Sequence, residues 1–371
     1  MGKWEMVRLG DVCKPKQWKT IAATDLTDRG YPVYGANGRI GFYNGYTHGK
    51  PTVLVTCRGA TCGTINICEP YSYVNGNAMA LDDLIDSVDL RFLSNYLTMR
   101  GFTDVITGSA QPQIIRSNIE KIEIPLPPLE VQRQIAGVLD RASTLIEKRK
   151  AQIEKLDLLV KSQFIEMFGT VKRNPYNFDI KPLGDVCKKI TDGKHGGCEL
   201  ETNSGYYYVG AREIYDRDIH YDTAQEITFT DFSESYRRCN LENGDLVIVN
   251  TGATIGKTAI ANSPLTNCTL LQKSVALIKT KEAFLLPKIL QYCYITNPEM
   301  YKVESSSAQP NLLLSKIRAT DVYLPPISLQ TQFAVFVQQV EAQKFLLQKS
   351  LAKLEQNYKS LMQKCFRGEI F

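Results

Sequence analysis

Residues 251–260 read TGATIGKTAI, a glycine-rich stretch that closes on Gly-Lys-Thr. Those residue types can build a phosphate cradle, with backbone N–H groups facing an anion and a lysine neutralising it. The spacing does not fit. A P-loop needs four residues between its first Gly and the Gly-Lys pair, and only three separate Gly252 from Gly256. The flanks LVIVN and TAIAN both read as short strands, and Pro264 follows before a helix could form. The stretch therefore predicts a β-hairpin with a glycine turn. Metal chemistry fares no better. Cys57, Cys62 and Cys68 crowd together without a Cys-x-x-Cys spacing, and His48, His195 and His220 are scattered. The cysteines are expected to be small core thiols, with no metal bound.

The elements that carry these residues belong to an ordinary globular chain. Its 371 residues suffice for two or three domains, and 43% hydrophobic with 22% charged residues is a usual balance. No apolar run approaches a membrane span, and the N-terminal MGKWEMVRLGDVCK has no apolar signal region. The ten cysteines are accordingly expected to sit reduced in the cytoplasm. A net charge of +5 permits a nucleic-acid partner without demanding one.

The chain is a duplication. LGDVCK recurs at 9–14 and 183–188, and Gly35-Ala36 pairs with Gly210-Ala211. Gly59-Ala60-Thr61-x-Gly63 pairs with Gly252-Ala253-Thr254-x-Gly256. SAQP recurs at 109–112 and 307–310, and PPLEVQRQIA (127–136) matches PPISLQTQFA (325–334). The offset between copies grows along the chain, mostly by 18 residues between the second and third blocks, as loop insertions would leave it. In the first copy Thr64 stands where the second has Lys257, a further argument against a phosphate-binding lysine.

Each double proline opens a long Pro-free stretch of helical periodicity. The first runs from Glu130 to Phe168, about 58 Å if wholly helical. Its apolar stripe includes Ile135, Leu139, Ile146, Ile153, Leu156 and Val160, continuing through Gln163 and Met167. The second stripe includes Phe333, Val337, Val340, Leu347, Leu351, Leu354 and Tyr358. The sustained period predicts that the two helices pack along each other as a coiled coil. The expected fold is α+β: two similar globules, each leading into a long helix, the helices antiparallel and the whole pseudo-twofold symmetric.

The order of globule, PLPPLEVQRQIAGVLD helix, second globule, LPPISLQTQFA helix and closing LMQKCFRGEIF resembles the specificity subunit of type I restriction-modification systems. YPVYGANGRIGFYN with VLVTCRGATCG, and GDLVIVNTGATIGKTAI, are similar to that family's target-recognition domains. The resemblance implies target-recognition domains at 1–128 and 169–325, with helical spacers at 129–168 and 326–371. Each domain would read one half of a gapped, asymmetric site on double-stranded DNA. The helices would set the spacing and dock two methyltransferase subunits, and restriction-translocase subunits would join that core. S-adenosylmethionine, ATP and Mg2+ would reside on those partners, with no cofactor on this chain, and adenine would be the methylated base. The residues agree that chemistry lies elsewhere. Asn174-Pro175-Tyr176 lacks the second proline of a DNA methyltransferase motif, and no Pro-Asp or Glu-x-Lys of a nuclease core occurs.

Base edges are read by Arg on guanine and by Asn or Gln on adenine, from exposed loops. The candidates in the first globule are Arg39, Arg58, Gln111, Gln113 and Arg116. In the second they are Lys194, His195, Arg212, Arg237, Arg238, Gln309 and Asn311. Tyr34, Phe42, Tyr43, Tyr46 and Tyr206–Tyr208 could pack on sugar or support a base. The SAQP and Gly-Ala-Thr blocks, being common to both copies, also fit a purely structural reading. A protein-binding scaffold and a silent recognition cassette remain alternatives for the chain as a whole.

Overall fold

The computed structural model describes residues 4–36, 38–108, 111–170, 172–301 and 310–371. The chain forms two compact units, one comprising residues 1–151 and 348–371 and the other residues 152–347. Each unit thus combines one globule with a part of both long helices.

In the first unit Lys14–Gln17, Ala78–Asp82, Val53–Thr56 and Ile65–Ile67 form a four-stranded antiparallel sheet in that order. A second sheet orders Gly38–Tyr43, Tyr31–Gly35 and Tyr73–Val74, its last pair parallel. The second unit repeats both. Cys187–Asp192, Val275–Thr280, Leu246–Val249 and Thr258–Ile260 make the four-stranded sheet, and Gln225–Glu226, Tyr207–Val209 and Thr269–Leu271 the three-stranded one. Runs such as VLVT and LVIV are buried throughout because both faces of these central strands are covered. A short antiparallel pair closes each globule: Met6–Arg8 with Glu123–Pro125, and Asp179–Pro182 with Asp321–Leu324.

The growth in repeat offset was expected in loops, but it carries folded elements. Between the matching strands the second copy adds the hairpin Ile214–Tyr215/Asp218–Ile219 and the helix Phe229–Cys239. Thr228 caps that helix by accepting a hydrogen bond from the Asp231 N–H at 3.3 Å, and Asn240 ends it in the left-handed conformation.

The long helices span Leu129–Phe168 and Ile327–Phe366, 40 residues each. In the first unit, Ile135 and Leu139 share a buried cluster with Cys365 and Phe366, while Lys150 meets Glu355 at 2.9 Å. In the second unit Asp157 meets Lys344 at 2.7 Å, and Phe164 and Phe168 pack on Phe333 with ring centroids 5.2 and 5.6 Å apart. Within each unit the two helices therefore run antiparallel. Every stripe residue named above is buried or half-buried. Near residue 163 the expected stripe is one residue out of phase. Phe164 and Phe168 are the fully buried positions, because this end of the helix also faces Tyr292 of the short helix Pro287–Thr296.

Gln132 and Gln330, from the repeated PPxxxQ blocks, are fully buried and act alike. The Gln132 amide donates to the carbonyls of Pro127 (2.8 Å) and Ser87 (2.9 Å) and accepts from the Asp89 N–H (2.8 Å). The Gln330 amide donates to Pro325 and Phe284 (both 2.8 Å) and accepts from the Leu286 N–H (2.9 Å). Each staples the start of a long helix to the globule before it and satisfies buried backbone groups that would otherwise be costly.

Candidate nucleic-acid interface

In each globule the Gly-Ala-Thr turn and the chain after SAQP meet through the same backbone hydrogen bonds. Gly59 N–H donates to the Pro112 carbonyl and Ile114 N–H to that of Cys57, at 3.1 and 3.0 Å. In the second copy Gly252 donates to Pro310 and Leu312 to Asn250, at 3.1 and 2.7 Å. The turn is closed in both copies by Gly63 N–H on Thr56 (2.8 Å) and Gly256 N–H on Val249 (3.0 Å). Its glycines hold φ of +90° and +92° in one copy and +95° and +92° in the other, where a side chain is disfavoured. Both glycine amides of each turn thus face protein carbonyls. The two copies share this backbone frame and differ in the side chains mounted on it.

In the first globule Arg58 and Gln113 sit opposite each other in a β-bridge, both exposed, and among the described residues the Arg58 guanidinium has no partner. Gln111 is exposed just ahead. Arg39 projects from a hairpin whose Ala36 carbonyl accepts from Thr56 Oγ1 at 2.7 Å, tying it to the turn, and it lies over the Phe42 ring. Arg116 is placed elsewhere: it opens the helix Arg116–Ile119 and pairs with Glu120 at 2.6 Å. Tyr34 is buried and bonds Glu69, whereas Tyr46 lies in an exposed edge-to-face series with Tyr31 and Tyr71.

In the second globule Asn311 bridges Thr251 as Gln113 bridges Arg58. Gln309 lies outside the described residues. Lys194 is engaged by Asp231, whose hydrogen bond raises the lysine's pKa, while the same bond lowers that of the carboxyl. His195 and Arg238 converge on Asp192, at 3.0 and 2.5 Å, and meet each other at 3.2 Å. Burial pushes the Asp192 carboxyl up, but Arg238 and His195 outweigh it and hold it below its ordinary value. Arg237 is exposed beside them in the last helical turn. Arg212 is exposed and reaches back to Glu213 at 3.1 Å. Tyr206 packs on Phe232, and Tyr208 is buried, so both serve the interior.

A cleft of about 370 Å3 opens between the turn and this group, bordered by Lys194, Tyr208, Thr251, Gln272, Lys273 and Asn311. Sequence reasoning missed Gln272 and Lys273. They lie in QKS (272–274), which carries no glycine and no repeated motif. The signal available was a polar triplet breaking two apolar strands.

Among the described residues no three His, Cys, Asp or Glu side chains gather as metal ligands. Burial pushes the thiols of Cys13 and Cys187, at matching repeat positions, up to about 12, which leaves them inert. No helix of the described residues is long and apolar enough to cross a membrane.

Several apolar side chains of the long helices face outward. Leu158, Leu159, Phe345 and Leu346 do so in the second unit, with Phe345 and Leu346 each 64% exposed, and Leu145 does so in the first.

A family model described as the type I restriction modification DNA specificity domain matches residues 1–155 and again 175–356. A putative type I restriction enzyme specificity subunit from Haemophilus influenzae is 22% identical over 330 residues, covering 84% of this chain and 80% of its own. The MjaIX specificity subunit from Methanocaldococcus jannaschii is 24% identical over 352 residues, 86% and 78% of the two chains. The crystal structure of a type I restriction-modification S subunit from M. genitalium aligns over 98% of this chain and 96% of that one, with a TM-score of 0.60 at 17% identity. With the match falling once on each copy of the repeat, the chain belongs to the type I restriction-modification DNA specificity family.

Proposed function

We propose that this chain reads a two-part DNA target for enzymes carried by other subunits. Each globule engages one half-site, and because Arg58 and Gln113 in one copy stand where Thr251 and Asn311 stand in the other, the half-sites differ. That difference, mounted on one shared scaffold, is the observation that carries the reading. The target is accordingly gapped and asymmetric. Half-sites on one face of a duplex lie roughly 34–36 Å apart, and a 40-residue helix extends about 60 Å, enough to bridge them. The outward Leu158, Leu159, Phe345 and Leu346 favour a docked protein, read here as two methyltransferase subunits, which restriction-translocase subunits then join. The chain itself is not an enzyme: S-adenosylmethionine, ATP and Mg2+ act on those partners, in the cytoplasm, and the methylated base is adenine.

The test is a methylation map of the host genome with this gene intact and deleted. Loss of one gapped, asymmetric N6-methyladenine motif on deletion supports the proposal. An unchanged map counts against it.

A further inference from the structure

We infer that Gln272 reads an adenine in the half-site of the second globule. This rests on the DNA-reading role proposed above and names the residue that supplies one of its base contacts.

Gln272 sits at a rigid node. Its N–H donates to the Val209 carbonyl at 2.8 Å, and its own carbonyl accepts from Val275 at 2.9 Å. The side chain lies across Gly210, where a Cβ would come within 2.3 Å of Gln272 Oε1 and 2.6 Å of its Cδ. Glycine at 210 is what leaves room for the amide in this pose. Gly210 has ordinary extended backbone, so the room, and not the conformation, is what asks for glycine there. The amide borders the 370 Å3 cleft together with Thr251, Lys273 and Asn311, and among the described residues it has no hydrogen-bond partner.

The first globule holds the same node in another use. Asn75 donates its N–H to Tyr34 and accepts from Ala78, both at 2.8 Å, as Gln272 does with Val209 and Val275. Its side chain, though, is buried: it accepts from the Ile21 N–H and donates to the Ile21 carbonyl, both at 3.2 Å. One copy turns the amide inward as scaffold, and the other presents a longer amide to an open cleft.

A primary amide offers one acceptor and one donor side by side. That pair matches N6–H and N7 of adenine in the major groove, and guanine there shows two acceptors. Lys273, exposed next to it and without an ion pair among the described residues, supplies a positive charge for the neighbouring backbone.

The experiment uses the full chain assembled with its methyltransferase partners and a duplex library randomised at both half-sites. Two variants approach the amide differently: Gln272→Ala removes it, and Gly210→Ala displaces it by its far, flexible end at little folding cost. In both, discrimination at one A·T pair of one half-site should fall by about 5- to 150-fold, the worth of one bidentate base contact. The other half-site and the melting temperature should be unchanged. An unchanged motif, uniform weakening at both half-sites, or relaxation at a G·C pair would each overturn the inference while leaving DNA reading intact. A wild-type complex that selects no gapped motif would instead overturn the DNA-reading role, and this inference with it.

Discussion

Replacing Gln132 or Gln330 by leucine, a side chain of similar volume, tests the idea that these residues hold each long helix to its globule. Gln132→Leu removes three hydrogen bonds and leaves the Asp89 N–H and the Ser87 and Pro127 carbonyls facing an apolar side chain. At a net 0.5–1.5 kcal/mol per bond, the loss is roughly 1.5–4.5 kcal/mol. Urea unfolding gives the global loss, and amide hydrogen exchange at Asp89 and Leu286 gives the local one. A loss above about 1.4 kcal/mol speeds exchange more than tenfold where opening limits it. Gln132→Leu should therefore release the Asp89 amide and spare Leu286, and Gln330→Leu should do the reverse. Stability within about 0.5 kcal/mol of wild type with both amides still protected would refute the reasoning, since surface-like substitutions fall in that range.

Four further outcomes follow from the geometry. Lys279 donates to Asp245 at 2.6 Å and Glu242 at 2.8 Å, so Lys279→Met strands a buried carboxylate and should cost about 3–5 kcal/mol by denaturant unfolding, less as the pH falls and Asp245 protonates. Gly252→Ala meets nothing within 4 Å and should cost only the conformational 1–2 kcal/mol or so, whereas Gly256→Ala drives a Cβ to 2.4 Å from the Tyr301 ring and should cost more. Burial pushes the Asp157 carboxyl up, but Lys344 and Arg217 outweigh it and leave its pKa lowered. Its stabilisation is thus present above the ordinary carboxylate pKa and lost as pH falls through the lowered value, and Asp157→Asn should flatten that acid limb in a stability–pH titration. Phe345→Glu and Leu158→Glu should leave folding intact and weaken capture of the methyltransferase subunits proposed above; undiminished co-purification would count against docking on those faces.

Much of this fold is legible in the sequence because its signals are local. LVIVN and TAIAN pair as the hairpin that two short apolar runs flanking a glycine turn predict, and PPLEVQ and PPISLQ begin helices where proline allows. The helix Phe229–Cys239 carries a helical period in Phe229, Phe232, Tyr236 and Cys239, but in FTDFSESYRRC those four are set among polar and charged residues and the stretch reads first as a loop. The candidate site was legible as a region and not as a residue set. Loop position marks Arg58, Gln113 and Asn311 correctly as exposed; the Arg116–Glu120 pair, four residues apart, is local and legible, whereas nothing local reveals that Lys194 is engaged by Asp231, 37 residues away in the chain. Gln272 escaped for a similar reason: the pose of its half-buried amide depends on Gly210, which only the fold brings beneath it.

The strand pair that closes each globule has a consequence for how such a chain can change. Met6–Arg8 lies beside Glu123–Pro125, and Asp179–Pro182 beside Asp321–Leu324. The polypeptide thus leaves each globule next to where it entered, and nearly everything between is topologically closed. A foreign globule with the same paired ends could be spliced into either position without rerouting the chain on either side. With LGDVCK and the double prolines repeated in both copies, the junctions for such an exchange are already alike. What an incoming globule must bring with it is the face turned to the long helices, where Tyr292 meets Phe164 in one copy and Ser87 and Asp89 meet Gln132 in the other.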